Sequence, residues 1–408
     1  MRIVIRQSVP HGTVQIPASK SIAHRYLIAA ASSAGHTVIH GLPDNADIRA
    51  TLDCLRKMGA RILLCGETAK VDGIRIGDIP DGIAVDCHES GTTLRLLLPF
   101  AMVSGKRITF KGAERLFARP LSVYEDICRT QEMLWQKRAD SVTVGGMLHA
   151  DTFRFPGNIS SQFVSGLLLA LPHLGAESTV LLTSAVESAS YIGLTLAALN
   201  RFGYRVKADG IQSYRIPGGQ TGCGAGDLTV PTDQSAAAFF GAMQTLGGEV
   251  RLAHFCDDGM QGDRVWKSYI EQLCAENCVL SVADCPDLAP VLMVVAALHH
   301  GCTLLDTARL RFKESDRGAV MAQELEKCGV RVVVEENSID VSGGALHAPA
   351  VPICAHNDHR IAMSLAVLLC RTGGVIDGAE CVAKSMPEFW QMLQALEVDL
   401  HTERDSEA

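Results

Sequence analysis

Six helix-like apolar runs punctuate the chain, and each stops at a glycine. Three of them, residues 92–102, 162–174 and 236–246, run out at or shortly before Gly105, Gly175 and Gly247. A glycine after the last periodic residue is a helix stop signal. A β-rich stretch follows each stop: Thr37-Val38-Ile39 after Gly35, Ile108-Thr109 after Gly105, Val180-Leu181-Leu182 after Gly175, Val250-Arg251-Leu252 after Gly248, Thr303-Leu304-Leu305 after Gly301 and Val375-Ile376 after Gly374. Steps between successive stops, from Gly35 through Gly105, Gly175, Gly247 and Gly301 to Gly373, are 70, 70, 72, 54 and 72 residues. A near-regular period of this kind marks an internal repeat.

Each β-rich stretch leads into a second helix, as at 47–58, 192–202 and 317–328. The endings Met58-Gly59-Ala60-Arg61-Ile62, Phe202-Gly203-Tyr204-Arg205-Val206 and Cys328-Gly329-Val330-Arg331-Val332 match one another. The pattern predicts an α/β fold built from strand-helix-strand-helix-strand-strand units. Six such units in 408 residues predict two domains of three units each.

The first helices of the units all start on polar residues. Lys20, Gly91, Ser161, Asp233, Asp287 and Asp358 lie 14 or 15 residues before the six stops. Ser, Thr, Asp and Asn are ordinary helix caps. Capping does not ask for Lys20, Arg25, Arg95, Arg317 or Arg360 near helix starts, where cations oppose the macrodipole. A bound anion removes the conflict, because N–H groups and dipole both favour negative charge. The constellation predicts a polyanionic ligand, phosphate or carboxylate.

Composition narrows the classes. Hydrophobic residues make up 47% and charged residues 20%, a folding composition. The net charge of −8 argues against nucleic-acid or anionic-membrane partners. The longest apolar run, 288–298, is 11 residues and contains Pro290, whereas a membrane span needs about 20. Met1 to Ile5 reads as a strand, with no signal-peptide core after it. The 14 cysteines include no Cys-x-x-Cys pair and sit in apolar stretches. Buried, reduced, structural thiols in a cytoplasmic protein are expected.

The motifs resemble the enolpyruvyl transferase family in family order, from about Pro17 to Phe389. The resemblance is carried by Ala18-Ser19-Lys20-Ser21-Ile22-Ala23-His24-Arg25, Ser90-Gly91-Thr92-Thr93-Leu94-Arg95, Arg119-Pro120, Asn158-Ile159-Ser160-Ser161-Gln162, Ser188 with Tyr191, and Met260-Gln261-Gly262-Asp263. It continues through Pro286-Asp287-Leu288, Lys313-Glu314-Ser315-Asp316-Arg317, Asp358-His359-Arg360 and Lys384-Ser385-Met386-Pro387. The chain departs from the family pattern at Glu89, at Asp233-Gln234-Ser235-Ala236 and at Arg309.

The resemblance implies an inside-out α/β barrel of two domains, with six βαβαββ-like repeats. The domains would be 19–231, and 1–18 plus 232–408, with crossovers near 18–19 and 231–232 and hinge closure on ligand binding. It implies transfer of the enolpyruvyl group of phosphoenolpyruvate to the 5-hydroxyl of shikimate 3-phosphate. Phosphoenolpyruvate would be held by Lys20, Gly91, Arg119, Gln162, Arg317, Arg360 and Lys384. Shikimate 3-phosphate would be held by Lys20, Ser21, Arg25, Ser160, Ser161, Gln162, Ser188, Tyr191, Asp287 and Lys313. Asp287 would take the hydroxyl proton, and Glu314, with Lys20, would exchange the proton at C3. No metal or organic cofactor is implied, and a monomer is expected. The rival acceptor is a UDP-aminosugar, and a second rival is a catalytically inactive anion-binding relative. Members acting on the UDP-sugar normally carry Lys-Asn where Lys20-Ser21 stands, and a Cys in the loop occupied here by Leu116-Phe117-Ala118.

Overall fold

A computed structural model describes residues 1–255, 257 and 259–403. The chain forms two compact units, Ala18–Pro231 and Met1–Pro17 together with the segment from Thr232 onward.

In the Ala18–Pro231 unit, three four-stranded sheets share one strand order. Ile83–Asp86 pairs in parallel with Ile108–Lys111, which pairs antiparallel with Ser141–Gly145, and that strand with Leu134–Lys137. Thr152–Phe155, Ser178–Leu182, Ser213–Ile216 and Lys207–Asp209 repeat the arrangement. In the third sheet Gly226–Thr229, from the end of the unit, lies parallel to His36–His40. Thr68–Asp72 and Arg61–Cys65 complete it.

The other unit contains two such sheets, ordered Cys278–Ser281, Gly301–Leu305, Ser338–Ser342, Val332–Val334 and Ile353–Cys354, Gly374–Asp377, Arg2–Ile5, Leu400–Glu403. Among the described residues its third sheet has two strands, Val250–Ala253 parallel to Gly12–Gln15. The expectation of four strands in every unit is corrected here. The 54-residue step between Gly247 and Gly301 is the reason. Helix Trp266–Ala275 is followed almost at once by strand Cys278–Ser281, which leaves no chain for a hairpin.

Helices Lys20–Ser32, Gly91–Ser104 and Ser161–Ala170 are buried almost all round, as are Gln234–Gln244, Ala289–Leu298 and His359–Thr372. Helices apolar on every face must be covered on every face. Strands alternate instead: Ile108 and Phe110 are inaccessible while Lys111 is exposed. Gly105 stops its helix in the left-handed region at φ 71°, where glycine has no Cβ to clash.

The thiol expectation holds in part. Cys54, Cys87, Cys128, Cys285, Cys302, Cys328, Cys370 and Cys381 are buried and free. Cys65 and Cys223 are exposed, because Cys65 ends the sheet-edge strand Arg61–Cys65 and Cys223 lies in the loop before Gly226–Thr229. Among the described residues no helix is long and apolar enough to cross a membrane.

Helices Gly91–Ser104 and Ser161–Ala170 touch through Gly166. A Cβ there would stand 2.4 Å from the Tyr124 hydroxyl and 2.5 Å from the Arg95 carbonyl oxygen, two atoms that share a 2.6 Å hydrogen bond. Gly166→Ala is expected to destabilise the protein by about 1–3 kcal/mol. A lowered urea midpoint for the variant checks this.

Candidate active site

The six buried helices have no acidic residue in the first turn. By contrast, helix Ala46–Lys57 carries Asp47 there. The first turns of the six thus carry no negative side chain, although Asp233 and Asp358 cap two of them and Asp287 directly precedes the cap of a third, and each unit gathers cations beside them.

In the Ala18–Pro231 unit, Lys20 opens its helix and donates to Asp47 Oδ2 at 2.8 Å. Its cap residue, Ser19, is buried yet makes no side-chain capping bond. One turn on, Arg25 is 2% exposed. Its guanidinium donates to the Thr195 hydroxyl at 2.8 Å, the Ser21 carbonyl at 2.8 Å, the Tyr191 carbonyl at 2.9 Å and the Ser165 hydroxyl at 3.3 Å. All four are neutral acceptors. Burial accordingly pulls the Arg25 pKa down to about 10.

Arg119 lies against Gly91: a Cβ on Gly91 would stand 2.9 Å from Arg119 Nη1. Among the described residues the buried Arg119 Nε finds no hydrogen-bond partner. Such a donor is costly to leave unmade. Gln162 is fixed from two sides, accepting from Arg95 at 3.0 Å and donating to Thr92 at 3.0 Å. Ser160 caps the helix that begins at Ser161, accepting from the Gln162 N–H. Ser188, in the left-handed region at φ 54°, starts helix Ala189–Arg201, which supplies the Tyr191 carbonyl to Arg25.

In the other unit, the Asp287 carboxylate is the centre of a knot. Its Oδ1 accepts from Arg317 Nη1 at 2.8 Å and Lys313 Nζ at 3.1 Å, and its Oδ2 lies 3.0 Å from Arg360 Nη2. Burial works to raise the Asp287 pKa, but Arg360, Lys313 and Arg317 together hold it well below the usual carboxylate range. The magnitudes explain the outcome. At an effective dielectric near 20 each contact is worth a few kcal/mol, and three of them exceed a desolvation penalty of several kcal/mol. Burial, with Arg309 and Arg317 nearby, lowers the Lys313 pKa to about 8 despite Asp287.

Arg317 also forks onto Asp358 through Nε at 2.9 Å and Nη2 at 3.3 Å. Asp358 in turn caps helix His359–Thr372 through the Arg360 N–H and accepts from Ser315. Glu314 Oε2 lies 2.9 Å from His359 Nδ1. Lys384 donates to the Asn357 carbonyl at 2.6 Å.

Thus Asp287, Lys313, Arg317 and Arg360 are brought together, with Glu314 beside Asp358 and His359. Arg119 and Gly91 meet, as do Arg25, Ser21 and Tyr191. Lys20 and Glu314, assigned to the same proton, belong to different units. Glu89 is exposed, and Arg309 is buried.

Sequence reasoning missed Asp47, Arg95, Thr92 and Asp358 as partners. Asp358, Arg95 and Thr92 stood inside quoted motifs, so their signal was present. Asp47 lies 27 residues from Lys20, and nothing local marks the pairing. Asp263, the last residue of the quoted Met260–Asp263 motif, is 4% exposed and accepts from the Ser235 hydroxyl. Burial and then Asp287 push its carboxyl up to about 6.

Glu314, Asp358 and His359 have the spacing of metal ligands among the described residues. Arg317 already occupies both Asp358 oxygens, and a guanidinium at that distance repels a cation.

Asp287→Asn is expected to destabilise the protein at pH 7, since three cations lose their shared counter-charge. The Asp287 pKa is depressed, so its stabilisation is present above the ordinary value of 3.8 and is lost as pH falls through the folded value. Urea midpoints of the two proteins should differ at pH 7, begin to converge below 3.8 and meet only below the folded value.

Comparison with known proteins shows the family. The family model for EPSP synthase (3-phosphoshikimate 1-carboxyvinyltransferase) matches residues 6–393. The 3-phosphoshikimate 1-carboxyvinyltransferase of Clostridium kluyveri is 36% identical over 406 residues, covering 94% of this chain and 95% of the relative. That of Clostridium acetobutylicum is 35% identical, covering 96% of each. A 2.37 Å structure of EPSP synthase from Acinetobacter baumannii superposes with a TM-score of 0.78 at 25% identity, over 98% of this chain and 99% of that one. The enolpyruvyl transferase NikO from Streptomyces tendae shares the fold, with a TM-score of 0.75 at 16% identity over 98% of each chain. The chain, a mixed α/β protein, belongs to the EPSP synthase (3-phosphoshikimate 1-carboxyvinyltransferase) family.

Proposed function

We propose that the chain transfers the 1-carboxyvinyl group of phosphoenolpyruvate to the 5-hydroxyl of shikimate 3-phosphate and releases phosphate. The hydroxyl oxygen bonds to C2 of the enol while C3 gains a proton. Loss of that proton and of phosphate from the tetrahedral intermediate then restores the double bond. The observation that carries the reading is Asp287 held ionised on Lys313, Arg317 and Arg360.

A carboxylate so strongly stabilised is a poor base. Phosphoenolpyruvate brings its own carboxylate and phosphate, which compete for the same guanidinium groups. As Arg317 and Arg360 turn to the ligand, Asp287 loses counter-charge and its proton affinity rises. Asp287 is then suited to take the 5-hydroxyl proton. Glu314, oriented by His359, exchanges the C3 proton, with Lys20 assisting. Arg119, Lys20, Gln162, Lys384 and the Gly91 backbone hold the rest of phosphoenolpyruvate. Planar Arg forks suit both of its anionic groups. Ser21, Arg25, Ser160, Ser161, Gln162, Ser188, Tyr191 and Lys313 hold shikimate 3-phosphate.

The same reading takes the fold as the inside-out two-domain barrel of six repeats, with domains 19–231 and 1–18 plus 232–408 that close on ligand. Five sheets of one strand order support it. The protein is read as a cytoplasmic monomer without nucleic-acid or membrane partners, in keeping with its net charge of −8.

Phosphate release on mixing the pure protein with both substrates tests the function. Release is expected with shikimate 3-phosphate and not with UDP-N-acetylglucosamine. The opposite pattern would reassign the acceptor, and silence with both would leave an anion-binding protein. Asp287→Asn and Glu314→Gln should each lower kcat by about 10²–10⁴-fold. Gly91→Ala should displace Arg119 and raise KM for phosphoenolpyruvate, as steady-state kinetics would show.

A further inference from the structure

Helix Arg317–Glu326 grips one loop at two points. Its first residue, Arg317, holds Asp358. Seven residues on, Glu324 lies on the same helix face about 10 Å along the axis. Its side chain is wholly inaccessible. A buried carboxylate persists only when paired, and nothing in the reaction uses this one.

Glu324 is committed to the loop. Its Oε1 lies 2.8 Å from His356 Nε2. Its Oε2 accepts from the Cys354 N–H at 2.9 Å and from Lys327 Nζ at 2.7 Å. Lys327 also donates to the Pro352 carbonyl.

The loop needs holding. His356 and Asn357 adopt φ of 50° and 53°, two successive non-glycine residues in the left-handed region. Non-glycine residues are uncommon there, and such strain persists only where surroundings over-determine it. Directly after them come Asp358, which caps the next helix, and Arg360 on Asp287. The carbonyl of strained Asn357 anchors Lys384.

We propose that Glu324 and His356 are positioning residues for phosphoenolpyruvate. By holding the strained turn they fix the Asn357 carbonyl under Lys384 and the Asp358 cap between Arg317 and Arg360. This rests on the functional reading above, which gives Arg317, Arg360 and Lys384 to that substrate. Most of the residues given to shikimate 3-phosphate lie in the other unit, so the two substrates should respond differently.

The test compares His356→Ala, His356→Gln and Glu324→Gln with the parent protein. One charge-assisted hydrogen bond corresponds to a factor of about ten or more. His356→Ala should therefore raise KM for phosphoenolpyruvate about tenfold and leave KM for shikimate 3-phosphate within about twofold. Glu324→Gln should do the same where it folds. His356→Gln, whose amide can still donate to Glu324, should recover most of the loss. Equal rises in both KM values, no change in folded His356→Ala, or failure of Gln to rescue would overturn the proposal. Calorimetric titration with phosphoenolpyruvate alone should show the same tenfold weakening without turnover. Binding without phosphate release by the parent would defeat the functional reading and leave that comparison decisive. A parent that neither binds phosphoenolpyruvate nor releases phosphate would defeat both.

Discussion

One carboxylate, Asp287, shared by three cations is the constraint on which the unit from Thr232 onward depends. Without Lys313, Arg317 and Arg360, burying Asp287 would be prohibitive, and without Asp287 the three cations would repel one another. The arrangement recurs one step out, where Asp358 binds both Arg317 and the helix that carries Arg360. The two guanidinium groups are thereby oriented and largely desolvated before any ligand arrives. An anionic ligand then replaces existing ionic contacts and need not assemble new ones. This is electrostatic preorganisation in its ordinary sense.

The Ala18–Pro231 unit solves the same problem with neutral acceptors. Arg25 has its guanidinium on two hydroxyls and two carbonyls. Neutral acceptors satisfy the donors and leave the positive charge uncancelled. Arg119 goes further, with a buried Nε that finds no acceptor among the described residues. Positive potential is therefore retained beside the electropositive start of the Gly91 helix, which suits a phosphorylated ligand. Lys20 alone in this set is paired with a carboxylate, Asp47.

Much of this was legible in the sequence for local reasons. Glycine stops and apolar runs gave the buried helices because those signals act within a few residues. The second helices were placed to within about three residues, in the range expected for boundaries read from sequence. The short 54-residue step held the missing hairpin of the two-stranded sheet, yet a period alone does not say which element is dropped. The charged motifs located Asp287, Lys313, Arg317 and Arg360 but not their partners. Pairings such as Lys20 with Asp47, or Gln162 with Arg95 and Thr92, join helices far apart in the chain. The pairing of His36–His40 with Gly226–Thr229, almost two hundred residues further on, is beyond any local rule. Exposure of Cys65 and Cys223 was misjudged because edge and loop positions are set by sheet order, which apolar pattern does not reveal.

The central claim is that Asp287 competes with phosphoenolpyruvate for Arg317 and Arg360. The most direct measurement is the calorimetric dissociation constant of phosphoenolpyruvate for the parent protein and for Asp287→Asn. Removal of the competing charge should tighten binding even as turnover is lost. Binding that is unchanged or weaker in the variant would contradict the account.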